Sequence, residues 1–389
     1  MRTTKYDLTL LKDYINKNFN NFEKQTFIID IDNMLVLLYR DELYETIDSY
    51  KYTIYTLIDS IFQFISNIRE LFGQSLIIFV SSYNVDYSPL QVNYEKKKYK
   101  KKYTKIDKKI IEYLNQYTKE NVTDETIIKY TRRFLYSQLS TIINTCLYNV
   151  IWIDMEKIET DYIINYLYKN YSAQNTFYII LSNDKDYIQL LVNDNILLFR
   201  KTYTYRKNVF TNKKEMTAHK SILHKNILED LKNEIIKDFV IEHPFDLLYH
   251  LIIFGDTSDN IKSIAKQIYK ELLQGNINVK SMKEFYNTYI LANKERLKSK
   301  TFDEYLDKIY YNFDNDLKEK LLTYKPFIDN RKLIDFDYAT SILFTNTKKQ
   351  ELINFLKLKQ VCKPISQLHS YLYNVFGYTA ILPDNISHQ

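Results

Sequence analysis

The chain has 389 residues, a formal net charge of +6, 45% hydrophobic and 26% charged residues, which permits a full buried core and excludes a disordered or strongly polyionic protein. Its four glycines, Gly73, Gly255, Gly275 and Gly377, cannot be clustered into a phosphate-cradling loop, which excludes Walker-type and G-x-G-x-x-G nucleotide binding. Cys146 and Cys362 lie far apart without C-x-x-C spacing, which excludes a zinc ribbon and a disulfide framework and fits an intracellular setting.

Residues 1–24 read as a helical segment without the apolar core of a secretory signal. Strand-length apolar runs follow at Phe27–Ile31, Leu76–Val80, Val150–Ile153, Phe177–Leu181 and Ile196–Phe199. Helical stretches separate them, the pattern of a parallel sheet with crossover helices. No run is long enough to span a bilayer, so a soluble protein without a membrane partner is expected. Between Glu95 and Lys109, nine lysines stand against Glu95 and Asp107, a local excess above the +6 of the whole chain. The stretch Thr123–Cys146 places Ile127, Ile128, Phe134, Leu135, Leu139, Ile142 and Ile143 at helical spacing. Lys201–Phe210 reads as a polar hairpin or loop, and from about Ser221 onward the pattern is helical. The expected division is a helical segment at 1–24, an α/β domain at 25–290 and a helical extension at 291–389.

The aspartates fall where open α/β sheets place their ligand sites, outside the carboxyl ends of strands. Asp30 ends FIID, Asp184 and Asp186 follow FYIILSN, and Glu159 and Asp161 open a helix after VIWI. Asp256 and Asp259 in LIIFGDTSDNI are three apart, so on a helical turn both face one way. Singly, each has a plain alternative as a helix cap or a complement to a helix N-terminus. Together, carboxylates about 4 Å apart repel by roughly 4 kcal/mol per pair at an effective dielectric of about 20. Such a cluster calls for cations, and oxygen donors without histidine or cysteine favour Mg²⁺ or Mn²⁺ over zinc.

The order of these motifs resembles the flap endonuclease and 5′-3′ exonuclease family, over roughly Phe27–Ile268. LSNDKDYIQLL is similar to the family's S-x-D-K-D-x-x-Q-L, GDTSDNI to its glycine-aspartate loop, IETD to its E-A-D-D, and FIIDIDNMLVLLYR to its opening strand. The resemblance implies a PIN-like fold, a parallel twisted sheet flanked by helices. It implies a monomeric nuclease that hydrolyses DNA near 5′ ends, flaps or RNA primers in replication or repair. Two Mg²⁺ or Mn²⁺ ions are implied, with metal and catalytic roles for Asp30, Glu159, Asp161, Asp184, Asp186, Asp256 and Asp259. The lysine segment resembles the family's arch or clamp, within about 83–122, which implies DNA contacts from Lys96, Lys97, Lys98, Tyr99, Lys100, Lys101 and Lys102, and Arg40 also matches. Lysines act there as phosphate point charges and tyrosines as stacking surfaces.

Departures from the family pattern are specific. After the second strand, Ser81 or Ser82 stands where the family has an aspartate, with Asp86 as a substitute reaching back from the loop. Tyr162 replaces the second aspartate of E-A-D-D, the span from Asp186 to Asp256 is long, and the glycines of a helix-hairpin-helix are missing after GDTSDNI. Two alternatives stay open on the sequence. One is a DNA-binding relative with a decayed metal centre. The other is a haloacid-dehalogenase-type phosphatase using Asp30, Asp32, Ser81 and Gly255–Asp256.

Overall fold

The computed structural model describes residues 5–19, 22–31, 33, 50–92, 94, 136–207, 214–224, 240–357, 365–376, 378, 379, 382, 383 and 386. Arg40, Lys96–Lys102 with Tyr99, and residues 123–135 lie outside them. Six strands form one sheet: β1 Lys24–Asp30, β2 Leu76–Tyr83, β3 Val150–Glu156, β4 Thr176–Leu181, β5 Ile196–Lys207 and β6 Lys214–Leu223. Their spatial order is β3-β2-β1-β4-β5-β6, parallel except for the antiparallel β5–β6 pair. The five apolar runs are strands, as expected. The sixth, Lys214–Leu223, gives no continuous apolar run, because it is polar through most of its length.

Both faces of the parallel strands are buried, which is why they read as unbroken apolar runs rather than alternating ones. On one face Phe27, Ile29, Ile77, Phe79 and Trp152 pack against three helices. These are α1 Lys5–Asn18, α2 Tyr50–Phe72 and α3, residues 136–146. On the other face Ile28, Val80, Ile153 and Ile180 pack against α4 Thr160–Tyr171. The same apolar cluster continues through Leu306, Leu317, Phe336 and Leu352 beyond residue 290. Each such fully buried aliphatic or aromatic side chain stabilises by about 1.5–3 kcal/mol.

The connections place the site. Between β1, β2 and β3 the chain crosses by α2 and α3 on one face, while β3 returns to β4 through α4 on the opposite face. Strands β1 and β4 are neighbours, so the crevice at their carboxyl ends is the switch point where α/β sheets bind ligands.

Beyond β6, α5 Pro244–Phe254 starts with a capping box at His243 and Asp246 and ends at Gly255. Asp246 is fully buried and accepts from five donors: Glu242 N and His243 N at 2.9 Å, Arg296 Nε at 2.9 Å, Arg296 Nη2 at 3.2 Å and Tyr305 OH at 2.8 Å. The helices after it include α6 Phe302–Ile309, α7 Asn315–Thr323, α8 Lys325–Ile334 and α9 Phe336–Leu343. Among the described residues, no helix is long and apolar enough to cross a membrane.

Candidate metal centre

Asp30 ends β1 and is 2% exposed. Its Oδ1 accepts from Asn33 N at 3.1 Å, and its Oδ2 accepts from Asn33 Nδ2 at 3.1 Å and, across the β1–β4 crevice, from Ser182 Oγ at 3.1 Å. Ser182 also accepts from Asp184 N at 3.1 Å, and Asp184 Oδ1 accepts from Asp186 N at 3.0 Å. One short loop thus ties both aspartates of DKD to the end of β1. Glu159 is the N-cap of α4 and Asp161 lies in its first turn, where the helix dipole favours negative charge.

Two residues outside the expected set join these acids. Tyr187 OH lies 2.5 Å from Asp161 Oδ1 and 3.3 Å from Asp30 Oδ2, and its single proton serves one of them at a time. Tyr87 OH donates to Glu159 Oε2 at 2.8 Å. Tyr187 lies inside the LSNDKDYIQLL motif, but only the fold reveals its partners, since Asp30 and Asp161 are distant in sequence.

Asp256 and Asp259 are brought together by a turn closed through the Asp256–Ile261 bridge. The expected helical turn is not what holds them. Gly255 makes the turn possible: its φ is +78°, and a Cβ there would lie 2.4 Å from Ile261 O, so no other residue fits. Asn330 Nδ2, from α8, donates to Ile252 O at 2.7 Å and Lys262 O at 3.0 Å, pinning both ends of the turn. One oxygen each from Asp186, Asp256 and Asp259 lie within 4.8 Å of one another.

The electrostatics follow from this crowding. Burial, then Asp184, Glu159 and Asp30, hold the Asp161 carboxyl well above its ordinary pKa. Burial and Asp184, reinforced by Asp259 and Asp256, do the same to Asp186. Asp184 is raised as well, chiefly by burial. Asp256 goes the other way: the cost of its burial is outweighed by Lys185 and Ser258, and its carboxyl is held below the usual value. The acids fall in two lobes: Asp186, Asp256 and Asp259, whose ligand oxygens gather within 4.8 Å, and Asp161 with Asp30, Glu159 and Asp184, which lie near enough to repel it but bring no such trio of oxygens together among the described residues.

The donor set fits hard divalent cations. All seven groups are carboxylates, and Asp186 Oδ1 is buried without a hydrogen-bond partner, a cost of about 1–3 kcal/mol or more that an ion would remove. A pH effect follows for the metal-free protein. With folded-state pKa values raised, Asp161 and Asp186 contribute stability that is complete below the ordinary carboxylate range and is lost as pH rises through their raised values. In EDTA the melting temperature should therefore rise on going from about pH 8 to about pH 5, and Asp161→Asn should flatten the rise. A melting temperature that falls steadily over this range, in wild type and variant alike, would contradict the crowded arrangement.

The serines of β2 separate cleanly. Ser81 is fully buried on the face away from the site, accepting from Trp152 Nε1 at 2.9 Å and donating to Asp154 Oδ1 at 2.9 Å. Ser82 faces the site, where its Oγ accepts from Thr160 Oγ1 at 3.1 Å, between Glu159 and Asp161 in sequence. Asp86 turns instead to its own loop, its Oδ1 accepting from Ser88 N at 2.9 Å.

No protein-family model matches the chain, and no curated protein matches it. Among solved structures it is similar to a phage T5 protein co-crystallised with metal ions, with TM-score 0.49 and 13% identity over 87% of this chain and 100% of that one. A T5 5′-exonuclease with zinc bound gives 0.46 and 14%, over 87% and 100% of the two chains. A bacteriophage T5 flap endonuclease in a pseudo-enzyme-product complex with DNA and metal ions gives 0.44 and 12%, over 86% and 99%. All three are distant likenesses.

Proposed function

We propose that the chain is a divalent-metal-dependent 5′ nuclease that hydrolyses phosphodiester bonds in DNA near 5′ ends, flaps or primers, in replication or repair. What supports this reading is that Asp186, Asp256 and Asp259 gather ligand oxygens within 4.8 Å, that Asp30, Glu159, Asp161 and Asp184 lie near enough to act on one another, and that the Asp186 Oδ1 oxygen is buried and unsatisfied. In this reading Asp186, Asp256 and Asp259 hold one ion, and Asp30, Glu159, Asp161 and Asp184 hold a second. Bound Mg²⁺ or Mn²⁺ would supply Lewis acidity toward the phosphoryl group and a nucleophilic water near neutral pH. The chain's own part is to fix the carboxylates, with Ser182, Tyr187 and Tyr87 setting their orientation as supporting hydrogen-bond partners. DNA is the substrate class that the motif resemblance names, and the lysines of 96–102 with Arg40 are the proposed phosphate contacts.

The test is cleavage of end-labelled 5′-flap, nicked and single-stranded DNA with Mg²⁺, Mn²⁺ or EDTA. Cutting near the 5′ end, with either metal and not with EDTA, is the expected result. Flap binding without cutting would favour a decayed centre, a reading that rests on Ser82 standing where an aspartate is expected. Hydrolysis of small phosphate esters alone would favour a phosphatase, although Ser81, which that reading needs at the site, faces the opposite side of the sheet.

The two serines give opposite expectations for an added carboxylate. Ser82→Asp adds a ligand and should tighten Mn²⁺ binding, read by calorimetry. Ser81→Asp buries a second charge beside Asp154 and should cost about 3 kcal/mol or more of stability. Equal stability of the two variants would refute this assignment of faces.

A further inference from the structure

We infer that Lys185 is a tethered counter-cation of the Asp186–Asp256–Asp259 cluster, which a divalent ion must displace from Asp256 in order to bind. The inference rests on the metal-centre reading above.

Lys185 Nζ lies 2.5 Å from Asp256 Oδ2, with the lysine side chain 24% exposed and the aspartate 5%. The other oxygen of Asp256 is committed to its own turn, accepting from Ser258 N at 2.8 Å and from Ser258 Oγ. Oδ2 is therefore the atom with which Asp256 can ligate an ion, and the ammonium sits on it. Asp256 Oδ2 and the neighbouring ligand atom, Asp186 Oδ1, are both buried without a hydrogen-bond partner, so the lysine meets Asp256 as a charge pair, and one ammonium faces three carboxylates.

An ion ligated by Oδ2 would have to compete for that carboxylate's charge with the ammonium already on it. The two positive charges would stand within a few ångströms of each other at a carboxylate that is only 5% exposed, where screening is reduced. The lysine can leave: its four-carbon stem is flexible and its end is partly exposed. It can also return, because it lies in sequence between Asp184 and Asp186, and its effective concentration at the cluster stays high. Attraction to Asp256, Asp186 and Asp184 more than offsets the cost of its burial and holds the ammonium charged.

The consequence runs against the usual loss on mutating a buried polar residue near a metal. Removing the charge removes a competitor, so ion binding tightens, while the metal-free protein loses its internal neutraliser and becomes less stable. An organising lysine would give the reverse for binding.

The experiment compares full-length wild type with Lys185→Met, Lys185→Gln and Lys185→Arg, each checked for folding by circular dichroism. Mn²⁺ alone is titrated by calorimetry, and melting is followed in EDTA and in saturating Mn²⁺. Both neutral variants are expected to bind Mn²⁺ roughly tenfold more tightly, to melt lower in EDTA, and to show a larger Mn²⁺-induced rise. Lys185→Arg, which keeps the charge, is expected to stay within about twofold of wild type. Unchanged or weaker Mn²⁺ binding by the folded neutral variants, with wild type binding normally, overturns the inference and leaves the metal centre standing. Absence of saturable Mn²⁺ binding in every folded form overturns the metal-centre reading and the inference with it.

Discussion

An Asp184→Asn/Asp186→Asn variant is expected to lose metal-dependent cleavage of flap DNA by roughly a thousandfold or more, while becoming more stable than wild type in EDTA. Both effects come from one cause. The two aspartates stand one in each lobe of the carboxylate cluster, and each is raised in pKa by burial and neighbouring acids. Neutral amides of the same shape remove that repulsion and with it the charge that would hold the ions. A destabilised surface would lose activity and stability together, so the opposite signs identify a functional cluster. Gel assays of cleavage and thermal melting, run on the same preparations, check it. A variant that cuts within tenfold of wild type would show that the chemistry lies elsewhere.

The largest expected loss of stability is at Arg296→Met. The guanidinium is fully buried and pairs with buried Asp246, while Nη2 also donates to Glu242 Oε2 at 2.7 Å. Lys294 also holds Glu242, at 2.6 Å, so Glu242 keeps a partner when the arginine is lost. Asp246 keeps two backbone donors and the Tyr305 hydroxyl, but no cation among these partners. Leaving a buried carboxylate without its cation costs about 3–5 kcal/mol. The loss reaches the site, because Asp246 caps α5 and the far end of that helix delivers Gly255 and Asp256. Denaturant unfolding should show the full loss in Arg296→Met and a smaller one in Arg296→Met/Asp246→Asn. A single-variant loss below about 1 kcal/mol would mean the pair does not hold the helix.

Much of this was legible in the sequence, for identifiable reasons. The five parallel strands announce themselves because both faces are buried, and the acids stand at their carboxyl ends. Strand β6 was not legible, since the polar residues Lys214–Ser221 carry no apolar run. The spacing of Asp256 and Asp259 allowed a helical turn, whereas Gly255 and the Asp256–Ile261 bridge make a tighter loop. Ser81 and Ser82 differ only in parity along β2, and parity decides nothing until the site is assigned to one face of the sheet. Lys185 and Tyr187 lie within LSNDKDYIQLL, but their roles depend on Asp256, Asp30 and Asp161, which only the fold brings to them. Asn330 gave no signal at all: its amide joins Ile252 and Lys262 from far along the chain.

The most direct measurement is anomalous diffraction from crystals of the protein grown with Mn²⁺. Manganese peaks are expected in the crevice between β1 and β4, one within ligand distance of Asp186, Asp256 and Asp259, and a second among Asp30, Glu159, Asp161 and Asp184. Well-ordered carboxylates with no manganese at either lobe, at millimolar Mn²⁺ and neutral pH, would contradict the metal-centre reading.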